Sequence, residues 1–450
     1  LSERYETLER ITQWGESDWR FCCRLMQQCG INHHFEHSAG VHRLIWSDHN
    51  GAFQAVQPEL QAGESAYHRI PYHPQGHKTE RESIHGWSVE QRLTSGRYAS
   101  RDLDYTRPGA LLEVQAEGAR AGGHANQEVY LWRGDKAAAH GQGAVAGSDH
   151  SQPNAGAQQA ANQTQAQGEH LARLRMQALR QGGHRARGVG HLRGIVPGCS
   201  FHLTEHPQAS ANTEYLTLQA HLLIENVGEE SQRSASAPAV QAVQADARQG
   251  LSGQWRVKVE FEVQPSTEVL RPEATQRKPR TGGPESALVV GPSSGQDEAN
   301  LHTDALGRIK IQFPWDRYGQ KNANSSCWVR VASAWAGNQL GAMHLPRVGQ
   351  EVIVSFLGGD PDQPIVSGRV YNEANRPPWS LPDQGALSGF RSRELTPGGG
   401  NGAGGRSNHL ILDDTQQKIQ VQLKSDHQHS QLSLGHLARI EDHAGRKDER

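Results

Sequence analysis

Apolar and polar residues alternate with period two along several stretches of the chain: RGIVPGCSFHLTEHP at 193–207, EYLTLQAHLLIENV at 214–227 and QWRVKVEFEVQP at 254–265. In the last of these, Trp255, Val257, Val259, Phe261 and Val263 alternate with mostly polar partners, which predicts a half-buried antiparallel sheet. Four more strand candidates follow closely: GRIKIQFPWD (307–316), CWVRVASAWAG (327–337), QEVIVSF (350–356) and PIVSGRVYN (364–372). That density of short strands predicts a small closed barrel, whose core by spacing is Ile309, Ile311, Phe313, Val329, Val331, Val352, Val354 and Phe356. Farther on, HLILDD and KIQVQLKS alternate again over 409–425, with Leu410, Leu412, Ile419, Val421 and Leu423 as the apolar set.

A helical period occurs twice. Over 13–31, Ser17 stands as N-cap, Asp18 in the first turn and Gly30 just past the end, while Trp19, Cys22, Cys23, Met26 and Cys29 fall on one apolar face. Those cysteines are expected in the core. EHLARLRMQALRQ at 169–181 suits a short helix that Gly182 and Gly183 stop. VHRLIW at 41–46 predicts a hairpin with the residues up to Glu36, and short strands continue to about 118. From 119 to 168 the chain is rich in Gly, Ala, Gln and His, with EVYLW at 128–132 as one strand inside it.

Composition supports the strand-rich reading. The 49 Gly and 21 Pro of 450 residues favour turns and short strands over long helices, so the expected class is mainly β. Residues 265–300, with TGGPES and GPSSGQDE, read as a linker ending at a boundary near 300, and 373–408 as a second Pro/Gly-rich connection. With 46 basic against 48 acidic residues there is no global electrostatic footprint for nucleic acid or an acidic membrane. No apolar run approaches the roughly 18 residues of a membrane helix. Five cysteines without CxxC spacing suggest neither a disulfide framework nor a zinc site; they read as reduced and buried. The chain opens on Leu1 with neither an initiator Met nor a signal pattern, as expected of a fragment or, failing that, of a non-classically exported protein.

Candidate chemistry is sparse. GPSSG at 291–295 satisfies G-x-S-x-G with Ser293 at the nucleophile position, but it lacks the preceding strand and following helix that a nucleophile elbow needs. His33, His34 and His37 cluster, yet strand alternation puts His33 and His37 on one face and His34 on the other, a poor arrangement for a metal. Asp360 and Asp362 in GGDPDQP read as turn formers between two strands rather than as a catalytic carboxylate pair. In the barrel, Arg308, Lys310, Arg317, Lys321, Arg330, Arg347 and Arg369 face five acids, a balance too weak for a nucleic-acid groove. Phe313, Trp315, Trp328 and Trp335 concentrate there, and core packing and burial between subunits both remain open for them. No catalytic residue, cofactor or metal site is expected.

The QWGESD start with its helix, RGIVPGCSF, GRIKIQFPWD, CWVRVASAWAG and HLPRVGQEVIVSFLGGDPDQPIVSGRVYN resemble the VgrG family of type VI secretion spike proteins, related to contractile-phage baseplate hub and tail-spike proteins. The matching pieces run from near residue 13 to about 425, and 307–372 is the most specific. At 32–34 this chain has Asn, His, His where the family more often has aromatics. The resemblance implies tandem hub-type barrels over 1–264, the first incomplete at its N-terminus, an oligonucleotide/oligosaccharide-binding (OB) type barrel over 301–372, and the start of a trimeric β-helical needle over 409–450. It implies a homotrimer that meets an Hcp-like tube protein and the baseplate below, a PAAR-like tip protein and effectors above, and no nucleic acid. It also implies a location in the bacterial cytoplasm before firing and in the target cell afterwards, with membrane puncture needing no transmembrane helix.

Two or three strands are marginal alone, so the 409–425 face should need partners. Three copies around one axis would supply them, with the apolar set inward and Lys418, Gln420, Gln422 and Lys424 toward water. The enzyme alternatives are a wall hydrolase, for which 373–408 is too short, and an effector domain beyond Arg450. A monomeric barrel binding carbohydrate or nucleic acid is a third reading.

Overall fold

In the computed structural model, residues 1–3, 5, 10–38, 40–55, 67–74, 76, 82–103, 105, 112–118, 126–132, 157–226, 255–292, 300–395 and 402–436 are described. The chain forms two compact units. One comprises 1–8, 15–146 and 158–278, the other 9–14, 147–157 and 279–450.

In the first unit, α1 (Asp18–Cys29) starts where the Ser17 side chain accepts from the Arg20 backbone N–H, and it ends at Gly30 with φ 70°. Both caps match the sequence signals, because a serine oxygen satisfies a first-turn donor and only glycine takes a left-handed φ without cost. The buried face differs from the expected one. Trp19 and Cys22 are exposed and Cys23 and Cys29 half-buried, whereas Met26 and Arg24 are buried. Arg24 goes inside because Glu16 neutralises it at 2.6 Å. No cysteine is buried: Cys199 and Cys327 are also half-buried, and all five are unpaired thiols.

The hairpin of β1 (Asn32–Ser38) and β2 (Val41–Ser47) pairs Asn32 with Ser47 through to Ser38 with Val41. Next come β3 (Gln54–Ala55), β4 (Arg69–Pro71), β5 (Ile84–Gln91), β6 (Arg97–Asp102), β7 (Leu112–Glu117) and β8 (Glu128–Trp132). The second helix, α2 (Ala157–Gln181), begins twelve residues before the expected 169. Its added turns are Ala- and Gln-rich, residues with good intrinsic helix propensity but no apolar period to betray them. The three-stranded sheet β7-β6-β8 packs on it through Tyr98, Val114, Ala172 and Met176.

The strands β9 (His184–Gly190), β10 (Cys199–Thr204), β11 (Glu214–Asn226) and β12 (Trp255–Pro265) complete a seven-stranded sheet, ordered β3-β10-β11-β12-β9-β5 with β4 also on β10. Val257, Val259, Phe261 and Val263 are buried, as their alternation requires. On the neighbouring strand, a Cβ at Gly188 would lie 2.1 Å from the Phe261 ring, so only glycine lets that ring lie against the backbone. Elsewhere in this unit, the buried Asp48 accepts from the Ser2 and Glu3 backbone N–H groups and from Tyr5 Oη. Burial alone would raise its pKa, but these donors together hold the carboxyl far below its usual range.

The second unit corrects two boundaries. Residues 265–300, expected to be a linker, contain β13 (Glu285–Val290), which lies between β14 (Lys310–Gln312) and β18 (Glu351–Phe356). The other strands of that sheet are β15 (Arg330–Val331), β18 (Glu351–Phe356) and β19 (Pro364–Arg369), ordered β14-β13-β18-β19-β15; the small hairpin of β16 (Ala336–Gly337) and β17 (Leu340–Gly341) projects between. Reciprocal backbone bonds between Ile309 and Val329, 2.9 and 2.8 Å, join the two ends of this order and close the barrel. Closure leaves no free edge. The barrel core holds Ile309, Ile311, Phe313, Val329, Val352 and Val354 buried, with Val331 and Phe356 half-buried against them. The 373–408 stretch likewise contains a strand, β20 (Leu387–Arg391), which heads a four-stranded sheet with β21 (Asn408–Asp413), β22 (Gln420–Ser425) and β23 (Ser430–Gly435).

Candidate assembly surface

The β20–β23 sheet carries one apolar face, and its register sets the pattern. Phe390 pairs with Leu410, Leu410 with Leu423 and Leu423 with Leu432, forming a row across all four strands. A second row runs Leu412, Val421, Leu434. Cross-strand neighbours on one face sit roughly 5 Å apart, so each row is a continuous ridge. Within the chain the ridges are open to water: Leu423 is 55% exposed, Leu432 57%, Leu434 59% and Phe390 64%. Ile419, at the end of β22, is exposed as well. A contiguous apolar face of this kind marks an interaction surface.

The opposite face is not the solvent side that alternation suggested. Gln420 and Gln422 are buried, as are His409, Ile411 and Asp413, and Lys418 and Lys424 are half-buried. The expectation that the two glutamines face water is therefore wrong. Ile411 packs against Trp379 and Leu387 on that side, and His409 Nε2 lies 2.9 Å from Gln422 Oε1. The chain covers its polar face with its own residues and leaves its apolar face uncovered.

The barrel adds exposed aromatics. Trp335 is 65% exposed beside the β16-β17 hairpin, where Leu340 and Met343 are exposed too. Trp315 is partly exposed and stacks at 4.8 Å on the buried Phe313, whereas Trp328 is half-buried against His302 and the Lys310 ammonium, 4.7 Å from its ring. Of the barrel's basic residues, Arg308 is fully buried with Asp304 and Lys310 donates to the Ser326 carbonyl.

The other candidates resolve as follows. His33 meets the edge of Trp19, His34 stacks on Phe53, and His37 lies beside His42. Burial pushes the His33 and His34 pKa values down. Among the described residues, no three His, Cys, Asp or Glu side chains converge as a metal site. Asp360 accepts from the Asp362 backbone N–H at 2.9 Å, as a turn former does. Ser293 lies outside the described residues. Sequence reasoning also missed the contact of residues 10–14 with the barrel, for which the alternation of Arg10, Thr12 and Trp14 was the signal.

Comparison with known proteins gives three family models in sequence. Residues 1–228 match the phage tail baseplate hub (GPD), 295–371 the type VI secretion system/phage-baseplate injector OB domain, and 400–450 the type VI secretion system Rhs element Vgr. The chain is 35% identical over 399 residues to the type VI secretion system spike protein VgrG1b of Pseudomonas aeruginosa, covering 88% of this chain and 46% of that protein. It is 31% identical over 416 residues to the actin cross-linking toxin VgrG1 of Vibrio cholerae, covering 92% of this chain and 32% of the toxin. It thus spans half or less of the length of these relatives. A chain of the Francisella PdpA-VgrG complex, lidded, aligns with a TM-score of 0.48 at 8% identity, over 93% of this chain and 55% of that one.

Proposed function

The chain belongs to the VgrG family of type VI secretion spike proteins, built on the phage baseplate hub fold, and from that premise we propose that it acts as a non-enzymatic structural spike. Three copies assemble around one axis, seat on an Hcp-like tube and the baseplate, and carry a PAAR-like tip and effectors through the target envelope. The apparatus assembles in the bacterial cytoplasm and delivers the spike on firing. The carrying observation is the pair of exposed apolar ridges on the β20–β23 sheet, a face that one chain leaves open and that threefold packing would cover. Among the described residues no helix is long and apolar enough to cross a membrane, so puncture would rest on stiffness. The Vibrio cholerae toxin is matched over only 32% of its length, and the activity in its name is not carried over.

Light scattering on the purified chain tests the reading: the expected mass is three times the 49.4 kDa of one chain. A stable monomer at micromolar concentration would instead favour a barrel-type binding protein. Assays with peptidoglycan and simple esters should show no turnover above buffer, and turnover that Ser293→Ala abolishes would overturn the non-enzymatic reading.

A further inference from the structure

Residues 10–14, Arg-Ile-Thr-Gln-Trp, belong to the second unit although the first strand of its barrel begins only at Glu285. They lie on the barrel as an extended peptide. Thr12 is buried and Arg10 and Trp14 are partly buried, while Ile11 and Gln13 between them face solvent. That is the period-two pattern of a strand with one face docked.

Each inward residue has a defined receptor. The Thr12 backbone N–H donates to Asp362 Oδ1 at 2.7 Å. Trp14 sets its edge on Trp315 at 5.4 Å between ring centroids and lies 6.1 Å from Phe356. The Arg10 guanidinium sits 5.9 Å from the Phe313 ring centroid and donates to Cys327 Sγ at 3.4 Å. Arg10 Nε also bonds Thr12 Oγ1 at 3.2 Å, which fixes the side chain for this contact. Asp362 is in turn positioned by its own N–H, which donates to Asp360 Oδ1. A backbone donor read by a fixed carboxylate, an aromatic anchor on an aromatic shelf and a cation over a ring are the elements by which proteins recognise extended peptides.

We propose that this face of the barrel is a peptide-binding site, that its ligand is an extended segment of the pattern Arg-X-Thr-X-Trp, and that the chain's own residues 10–14 are the resident ligand. The turn Asp360–Asp362, read from sequence as structural, is then also the site's polar contact. Gly15, at φ 58° with nothing within 4 Å of where its Cβ would be, gives the segment a pivot at its C-terminal end. Lifting the segment would uncover Trp315 and Phe356 for a competing peptide of the same chemistry.

The test uses the full chain and a fluorescently labelled nine-residue peptide covering 8–16. A variant with Arg10→Ala, Thr12→Pro and Trp14→Ala disables the resident segment. The peptide should bind that variant at least tenfold more tightly than the unaltered chain, whose site is filled. Adding Trp315→Ala should cut the binding tenfold or more, and replacing Ile11 by alanine in the peptide should leave it unchanged. Equal binding to both chains, no binding to either, or indifference to Trp315→Ala would overturn the site. Should the triple variant fail to fold, amide hydrogen exchange on the unaltered chain decides: the Thr12 amide should be protected, and Asp362→Asn should speed its exchange more than tenfold while the Val352 and Val354 amides stay slow. A Thr12 amide that exchanges like that of a free peptide sinks the proposal.

Discussion

Val354→Asp should unfold the barrel of the second unit, with a loss of about 4 kcal/mol or more. Val354 has no exposed surface, and its strand is the central one of the order β14-β13-β18-β19-β15. It pairs with Glu285 on one side and Val366 on the other, and its side chain lies in the cluster of Ile309, Ile311, Val329 and Val352. A carboxylate there meets no donor, so it either stays charged without a partner or takes up a proton, and both outcomes cost several kcal/mol. Domains are stable by only about 5–15 kcal/mol, so one such group removes a large share. Ser367→Asp on the next strand is the control: Ser367 is exposed, its hydroxyl bonds Ser355 and the Ile353 carbonyl, and the change should stay within about 1 kcal/mol. Thermal unfolding followed by circular dichroism separates the two. A Val354→Asp chain that melts with the unaltered one would mean the strand register is wrong.

The contrast between Val354 and the missed strand β13 shows what the sequence carries. QEVIVSF and GRIKIQF announce themselves because β-branched residues alternate with polar ones, and a strand with one face in a barrel needs that alternation. SALVV at 286–290 is a short apolar run between TGGP and GPSSG, and such a run has no period to read. The turn residues around it are real turns; they bound a strand rather than replace one. The α1 helix shows a different limit. Its caps are local chemistry and are legible, but its buried face is not, because the Arg24–Glu16 pair lets a charged residue go inside while Trp19 stays out. The candidate assembly face is half legible. Alternation over 409–425 separates the two faces of the sheet, but which face the chain covers depends on Trp379 and Leu387, residues from a segment that reads only as Pro/Gly-rich. The usual rule that apolar residues turn inward would fail where, as proposed, further copies supply the inside.

That failure sets up the strongest test of the assembly. Lysine at both Leu412 and Leu423 should convert the proposed trimer to monomers without unfolding the single chain. The two residues belong to adjacent rows, Leu423 between Leu410 and Leu432 and Leu412 beside Val421, so both ridges are cut. In the isolated chain both side chains already meet solvent, at 43% and 55% exposure, and a lysine there keeps its charge in water at a cost within about 1 kcal/mol. In the closed assembly each copy would bury two ammonium groups facing those of its neighbours, and unpaired buried charge costs several kcal/mol. Every 1.4 kcal/mol is about tenfold in an association constant, so the loss should amount to several orders of magnitude. Light scattering at micromolar concentration reads the mass, and circular dichroism reads the fold. Ile411→Asp gives the opposite signature: Ile411 is buried on the covered face, so that change should disturb the sheet itself. If the double-lysine chain stays trimeric with unchanged melting, association comes from hub or barrel surfaces such as the Trp335 hairpin. The β20–β23 ridges would then have to be covered by something other than a second and third copy.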